Sequence, residues 1–259
     1  MDITDKASVE KVLKEVNPDV VVHCAAWTAV DLAEDEDKKE TVQKVNADGT
    51  RNIALVCKDL GCKMVYISTD YVFDGQGTQP WEPDCKDYKP LNVYGETKLA
   101  GELAVSENLE KYFIVRIAWV FGKNGKNFIK TMLNLGKTHD QLRVVSDQIG
   151  TPTYTLDLAV LLVDMIETEK YGYYHATNEG GYISWYDFTK EIFRQAIEAG
   201  HKEYEKVTVT PVTTEEYGVS KAKRPFNSRL DKSKLTANGF NLLPTWQDAV
   251  KRYLAEIDF

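Results

Sequence analysis

The chain has 259 residues, 43% hydrophobic and 28% charged, which suits a globular protein with one large α/β domain or one domain and a small lobe. A formal net charge of -8 argues against nucleic acid as the main partner, because phosphate binding needs a basic face. No run approaches the roughly 18 apolar residues of a membrane span, the N-terminus MDITDKASVE has no signal-peptide pattern, and four cysteines without a C-x-x-C pair point to a reduced, cytoplasmic protein with no membrane partner.

Strand-like and helix-like segments alternate along the chain. Residues 19–26 (DVVVHCAA) form a short β-branched run that reads as a buried parallel strand, with His23 and Cys24 as core residues. The acidic run Glu34-Asp35-Glu36-Asp37 reads as a solvated turn. Residues 38–60 carry apolar side chains at helical spacing, and Gly61 is the stop signal. Residues 63–68 are the next strand, followed by a polar loop rich in glycine and proline. A helix over 92–108 and a strand over 112–120 come next.

The pattern continues with a helix over 127–135, a strand over 142–145 and an apolar helix over 155–167. A strand over 173–176 precedes a helix over 184–199 capped by Ser184. A strand over 207–210 and an amphipathic helix over 246–257 close the chain. Such alternation predicts an α/β protein with a parallel, doubly wound, Rossmann-type sheet. A sheet of this kind normally opens with a strand, a glycine-rich turn and a helix. No such turn precedes residue 19, so the expectation is an N-terminally truncated sheet with a small C-terminal lobe. Residues 1–145 are expected to be the remainder of a dinucleotide-binding domain. Residues 146–259 are expected to form mainly a substrate lobe, with some segments returning to the sheet.

The chemistry-bearing motif is Tyr94-Gly95-Glu96-Thr97-Lys98. Residues four apart share a helix face, so a lysine ammonium beside a phenol is expected to pull the tyrosine pKa down from about 10 and make it a proton donor or acceptor. The Y-x-x-x-K pattern is unspecific, since it recurs at Tyr186/Lys190 and Tyr217/Lys221. Context singles out Tyr94. It follows a strand ending in Ser68-Thr69, and the C-terminal ends of parallel strands are where ligands bind. The histidines have no metal-ligand spacing, so no metal is expected.

Several stretches in order, among them Ser68-Thr69-Asp70-Tyr71-Val72-Phe73-Asp74-Gly75, Tyr94-Gly95-Glu96-Thr97-Lys98, Arg116-Ile117-Ala118-Trp119, Asp147-Gln148-Ile149-Gly150-Thr151-Pro152-Thr153 and Arg224-Pro225-Phe226-Asn227-Ser228, resemble the extended short-chain dehydrogenases/reductases. Within them the chain looks most like the dTDP-4-dehydrorhamnose reductases, over essentially its whole length. The resemblance implies carbonyl reduction of dTDP-4-dehydro-L-rhamnose with NADPH or NADH, in cell-surface polysaccharide biosynthesis. Tyr94 would donate the proton. Thr69 would bond the keto oxygen, and Lys98 would hold the nicotinamide ribose. Asn46 would support the lysine through water. Asp2, Ile3, Ala25, Ala26 and Thr28 would line the cofactor, and Thr69, Asp70 and Trp119 would face the sugar nucleotide. The implied partners are a dTDP-sugar and, as in some relatives, a second copy in a homodimer. Two alternatives stay open: a cofactor-binding regulatory subunit like the β subunit of methionine adenosyltransferase, and another NDP-sugar reductase or epimerase. Dehydration is disfavoured, because Tyr71 stands where dehydratases carry a glutamate.

Overall fold

The structure, a computed structural model, describes residues 1–259. Helix α1 (Lys6–Val16), which hydrophobic spacing did not single out, begins where the Asp5 carboxylate accepts the Ala7 N–H at 3.0 Å. Strand β1 (Val20–His23) follows. A 3₁₀ turn (Leu32–Glu34) leads to α2 (Glu36–Gln43), which runs through a π-helical turn (Lys44–Asp48) into α3 (Gly49–Leu60). The helix expected over 38–60 is therefore interrupted by a widened turn, a feature common at functional sites. Strand β2 (Lys63–Thr69), α4 (Val93–Ser106) and β3 (Tyr112–Ile117) complete the first half.

The second half holds β4 (Val120–Phe121), α5 (Phe128–Thr138), β5 (Gln141–Val145), β6 (Ile149–Gly150), β7 (Thr153–Tyr154) and α6 (Thr155–Ile166). It continues with β8 (Gly172–His175), β9 (Ile183–Ser184), α7 (Trp185–Glu198), β10 (Thr208–Val212) and α8 (Thr214–Tyr217). It ends with β11 (Asn227–Ser228), α9 (Ser233–Ala237) and α10 (Trp246–Glu256). Ser184 caps α7 in a reciprocal capping box with Asp187.

The main sheet has the order β1-β2-β3-β8 with every pair parallel. One face is covered by α1, α3 and α4 through Val9, Leu13, Ile53, Ala54 and Val105. The other is covered by α6 and α9 through Leu158, Leu161, Met165 and Leu235. This is the doubly wound arrangement expected from the alternation. The β1 strand sits on the sheet edge and not in its interior, so Val22 is 42% exposed and Cys24 is exposed, against the buried reading of both. A further apolar cluster lies beside the main sheet, where α5, α7 and α10 enclose Phe121, Leu133, Phe188, Ile192, Val250 and Tyr253. Strands β5 and β10 pair parallel against it. This cluster draws residues from both sides of position 145, while β8, α6 and α9 return to the main sheet.

Candidate active site

Register fixes the geometry of the C-terminal sheet edge. Thr69, the last residue of β2, lies beside Ile117, the last of β3. The chain turns sharply after Thr69, whose hydroxyl accepts the Tyr71 N–H at 3.2 Å and donates to the Asp70 carboxylate at 3.1 Å. Helix α4 then brings Tyr94 and Lys98 over this edge. Its start is held by Asn92, which accepts the Gly95 N–H at 2.8 Å, and by Glu34, which accepts the Val93 N–H at 2.8 Å. Two acceptors at a helix N-terminus complement its dipole. Glu34 thus does structural work, and Asp35 pairs with Lys221, so the acidic run is not simply a solvated turn. Gly95 lets the helix approach: a Cβ there would collide with the Tyr71 carbonyl oxygen.

Burial holds the Tyr94 phenol well above its usual range, and the neighbouring Thr69 hydroxyl offsets it only in part. Asp70 and Tyr71 push in the same upward direction. This corrects the expectation that Lys98 lowers the Tyr94 pKa. The Lys98 ammonium donates to the Ile67 carbonyl at 2.7 Å and lies 4.0 Å over the Tyr66 ring. Burial in turn lowers the Lys98 pKa to about 7, with Glu102 opposing. The resting pair is a protonated phenol and a lysine poised near neutrality.

Asn46, carried on the π-helical turn, is 1% exposed. Its amide oxygen accepts the Trp27 N–H at 2.8 Å, and its amide nitrogen donates to the Trp27 carbonyl at 3.2 Å and the Thr97 hydroxyl at 3.1 Å. Asn46 thus ties the loop after β1 to α4 next to Lys98, and its protein contacts do not include the lysine itself. In that loop Ala25 and Thr28 are exposed and Ala26 is half-buried. His23 is buried against Thr50 and Tyr66, with its pKa lowered to about 4 by burial, so it is a neutral core histidine.

Trp119 lies just past β3 in the left-handed region (φ 52°), an unusual backbone state for a bulky residue. It stacks on Trp185 with 3.7 Å between centroids. It also packs on Gly150, where a Cβ would come within 3.0 Å of the indole and 2.9 Å of Ser228. Tyr71 meets Tyr94 edge-on at 5.6 Å. A cleft of about 190 Å³ opens from Tyr71, lined by Phe128, Trp185, Gln148, Arg143 and Arg224 among others. Arg224 donates to Asp31 at 2.8 Å and to the Tyr71 hydroxyl at 3.2 Å. Arg143 donates to the Glu216 carbonyl at 2.8 Å. Aromatic faces beside two guanidinium groups suit a flat, anionic nucleotide.

Thr69, Asp70, Tyr94, Lys98 and Trp119 thus share one edge of the sheet. Asp2 and Ile3 make their contacts elsewhere: Asp2 bonds Thr4 and Ser8, and Ile3 packs on Gly49 and accepts from Asn52. The cleft arginines and Trp185 were not among the expected site residues. Arg224 and Tyr71 stand inside quoted motif stretches, a usable signal. Arg143 and Trp185 carry none, since only the β5–β10 pairing and α7 bring them to the cleft. The residues present fit the nicotinamide end of a dinucleotide. An ammonium has three donors, and Lys98 uses one, leaving two for ribose hydroxyls beside the open 25–28 loop. No glycine-rich turn here supplies a pyrophosphate cradle.

The chain resembles known proteins over nearly its whole length. The RmlD substrate binding domain model matches residues 1–259. A dTDP-4-dehydrorhamnose reductase of Escherichia coli (strain K12) is 40% identical over 263 residues, covering 99% of this chain and 85% of that protein. The spore coat polysaccharide biosynthesis protein SpsK of Bacillus subtilis (strain 168) is 40% identical over 256 residues, covering 99% and 86%. A crystal structure of dTDP-4-dehydrorhamnose reductase from Bacillus anthracis str. Ames in complex with NADP superposes with a TM-score of 0.91 at 43% identity, covering 99% of this chain and 87% of that one. With a family model matched over residues 1–259 and relatives about 40% identical over 99% of its length, this chain belongs to the dTDP-4-dehydrorhamnose reductase family.

Proposed function

We propose that this chain reduces the C4 keto group of a dTDP-4-dehydro-6-deoxysugar, dTDP-4-dehydro-L-rhamnose, using NADPH or NADH. The observation that carries this reading is the placement of Thr69, at the end of β2, and Tyr94, at the start of α4, on one sheet edge beside a cleft bearing Arg143 and Arg224. A bound reduced nicotinamide supplies the hydride. The residues of this chain do the rest. The cleft holds the nucleotide: aromatic faces take the base, and the guanidinium groups oppose the diphosphate. Thr69 and Tyr94 grip the keto oxygen. As negative charge builds there, Tyr94 gives up its proton to the oxygen. A phenol that stays protonated at neutral pH is the right resting state for a donor in the reducing direction.

The test is the absorbance of reduced nicotinamide, with and without dTDP-4-dehydro-L-rhamnose. Oxidation that depends on the keto-sugar is the expected result. Cofactor binding with no substrate-dependent oxidation would replace this reading with that of a regulatory subunit.

Trp119→Ala probes the substrate side. The indole stands at the sheet edge on the Gly150 and Trp185 side, so its loss should weaken sugar-nucleotide binding by about tenfold, roughly 1.4 kcal/mol. Cofactor affinity should hardly change. Calorimetry with dTDP and with NADPH separates the two, and equal losses would remove Trp119 from the substrate pocket.

A further inference from the structure

We infer that Asp31 is a positioning residue, which sets the Arg224 guanidinium for the diphosphate of the sugar nucleotide. The inference rests on the proposed reading of the cleft as the nucleotide site. One wall of that cleft is the segment from Thr214 to Arg224, which contributes Thr214, Tyr217, Ser220 and Arg224. Residues 215–221 between its ends are exposed, so the wall depends on how those ends are tied. One end is tied to Asp147, whose carboxylate accepts the Thr214 N–H at 2.9 Å and the Thr214 hydroxyl at 2.6 Å. The other end crosses to the loop after β1, where Asp31 takes it.

Asp31 opens the 3₁₀ turn over Leu32–Glu34, a position from which an aspartate ordinarily caps its own turn. Its side chain makes no such bond. Both oxygens go to the wall instead: Oδ1 accepts the Ala222 N–H at 3.0 Å, and Oδ2 accepts from the Arg224 guanidinium at 2.8 Å. Between these two residues, the Lys223 carbonyl accepts from the side-chain amide of Asn92, the cap of α4, at 2.8 Å. Arg224 also donates to the Tyr71 hydroxyl at 3.2 Å, and the Tyr71 ring meets Tyr94 edge-on. The guanidinium is therefore fixed from two sides, one residue away from Tyr94. Two of its five N–H donors are spent, and three remain on a side chain that lines the cleft.

Holding a long side chain in place before the ligand arrives removes an ordering cost from binding. Without the Asp31 carboxylate, the backbone tie at Ala222 and one of the two ties on the guanidinium are lost together, and the ligand itself must order Arg224. The Asp31 and Arg224 side chains are 46% and 22% exposed, so the pair contributes little to stability, and its loss is read in affinity.

The test is Asp31→Ala, with Arg224→Ala and the double variant completing a cycle. Asp31→Ala should weaken dTDP binding by about two- to tenfold, the scale of ordering one long side chain. Thymidine, which lacks the diphosphate, should bind the native chain and the variant alike. In the Arg224→Ala background, Asp31→Ala should cost nothing further. Calorimetry reads dTDP, and ligand-observed NMR reads thymidine. Asp31→Asn keeps one acceptor oxygen and should lie between the native chain and Asp31→Ala. In turnover the loss should fall on KM and leave kcat within a few-fold. A merely structural role would weaken both ligands alike, and would act equally with or without Arg224; either result would overturn the inference. So would tighter dTDP binding in Asp31→Ala, which would mean that the carboxylate only competes with the diphosphate for the guanidinium. The binding cycle needs no turnover, so the two readings fail separately. A coupled cycle in a chain that does not reduce the keto-sugar counts against the proposed reduction, and an additive cycle in a chain that does reduce it counts against Asp31.

Discussion

Tyr94→Phe should reduce kcat by roughly 10²-fold or more while leaving the fold intact, since the substitution removes only the proton that general acid catalysis requires. The ring loses little packing: it meets Tyr71 edge-on, a contact that phenylalanine keeps. Cofactor and sugar-nucleotide affinities should therefore stay within a few-fold, and the loss should fall on kcat and kcat/KM together, the mark of an interaction made in the transition state. Tyr186→Phe is the matched control. The Lys190 ammonium lies 5.0 Å over the Tyr186 ring on α7, and this pair belongs to a different helix from Tyr94. Tyr217 is a weaker control, because it lines the arginine-bearing cleft. Steady-state kinetics of the two variants decide the matter. Comparable losses in Tyr94→Phe and Tyr186→Phe would remove Tyr94 from the chemistry.

Why Tyr94 was readable and Arg143 was not follows from what sequence encodes locally. A strand ending in Ser68-Thr69, followed by a helix opening on Tyr94, places both at a sheet edge by topology alone. The doubly wound sheet was legible for the same reason, since the period of the apolar residues changes between strands and helices. What was not legible depends on contacts between distant segments. The β1 run reads as buried because it is β-branched, yet its burial depends on neighbours on both sides, and it has one. The Lys98 ammonium is four residues from Tyr94 on paper, but the Ile67 carbonyl and the Tyr66 ring claim it, and only the folded chain shows this. The π-helical turn that presents Asn46 to Trp27 leaves no mark in hydrophobic spacing either.

The largest effect on stability is expected at Arg116, an arginine within an apolar strand. Both Arg116 and Glu102 are fully buried, and the pair is bidentate: Nε reaches Oε1 at 2.9 Å and the terminal nitrogen reaches Oε2 at 2.8 Å. The guanidinium also donates to the Pro83 carbonyl at 3.0 Å and the Tyr88 hydroxyl at 3.1 Å, and stacks near Phe73 and Tyr173. One side chain thus joins β3, α4 and the loop between β2 and α4. Arg116→Met keeps the bulk of the stem but leaves the Glu102 carboxylate buried without a partner. Removing one member of such a pair costs about 3–5 kcal/mol. The double variant Arg116→Met/Glu102→Leu removes both charges and should recover part of that loss, though not the bonds to Pro83 and Tyr88. Urea unfolding of the native chain, both single variants and the double variant closes the cycle, and additive losses would show that the pair is not coupled. The consequence reaches the active site along α4. Glu102 lies one helical turn beyond Lys98 and is the main influence opposing the burial that lowers the lysine's pKa. The Glu102→Leu variant removes that charge, so where it remains folded it should need a lower pH for full activity than the native chain.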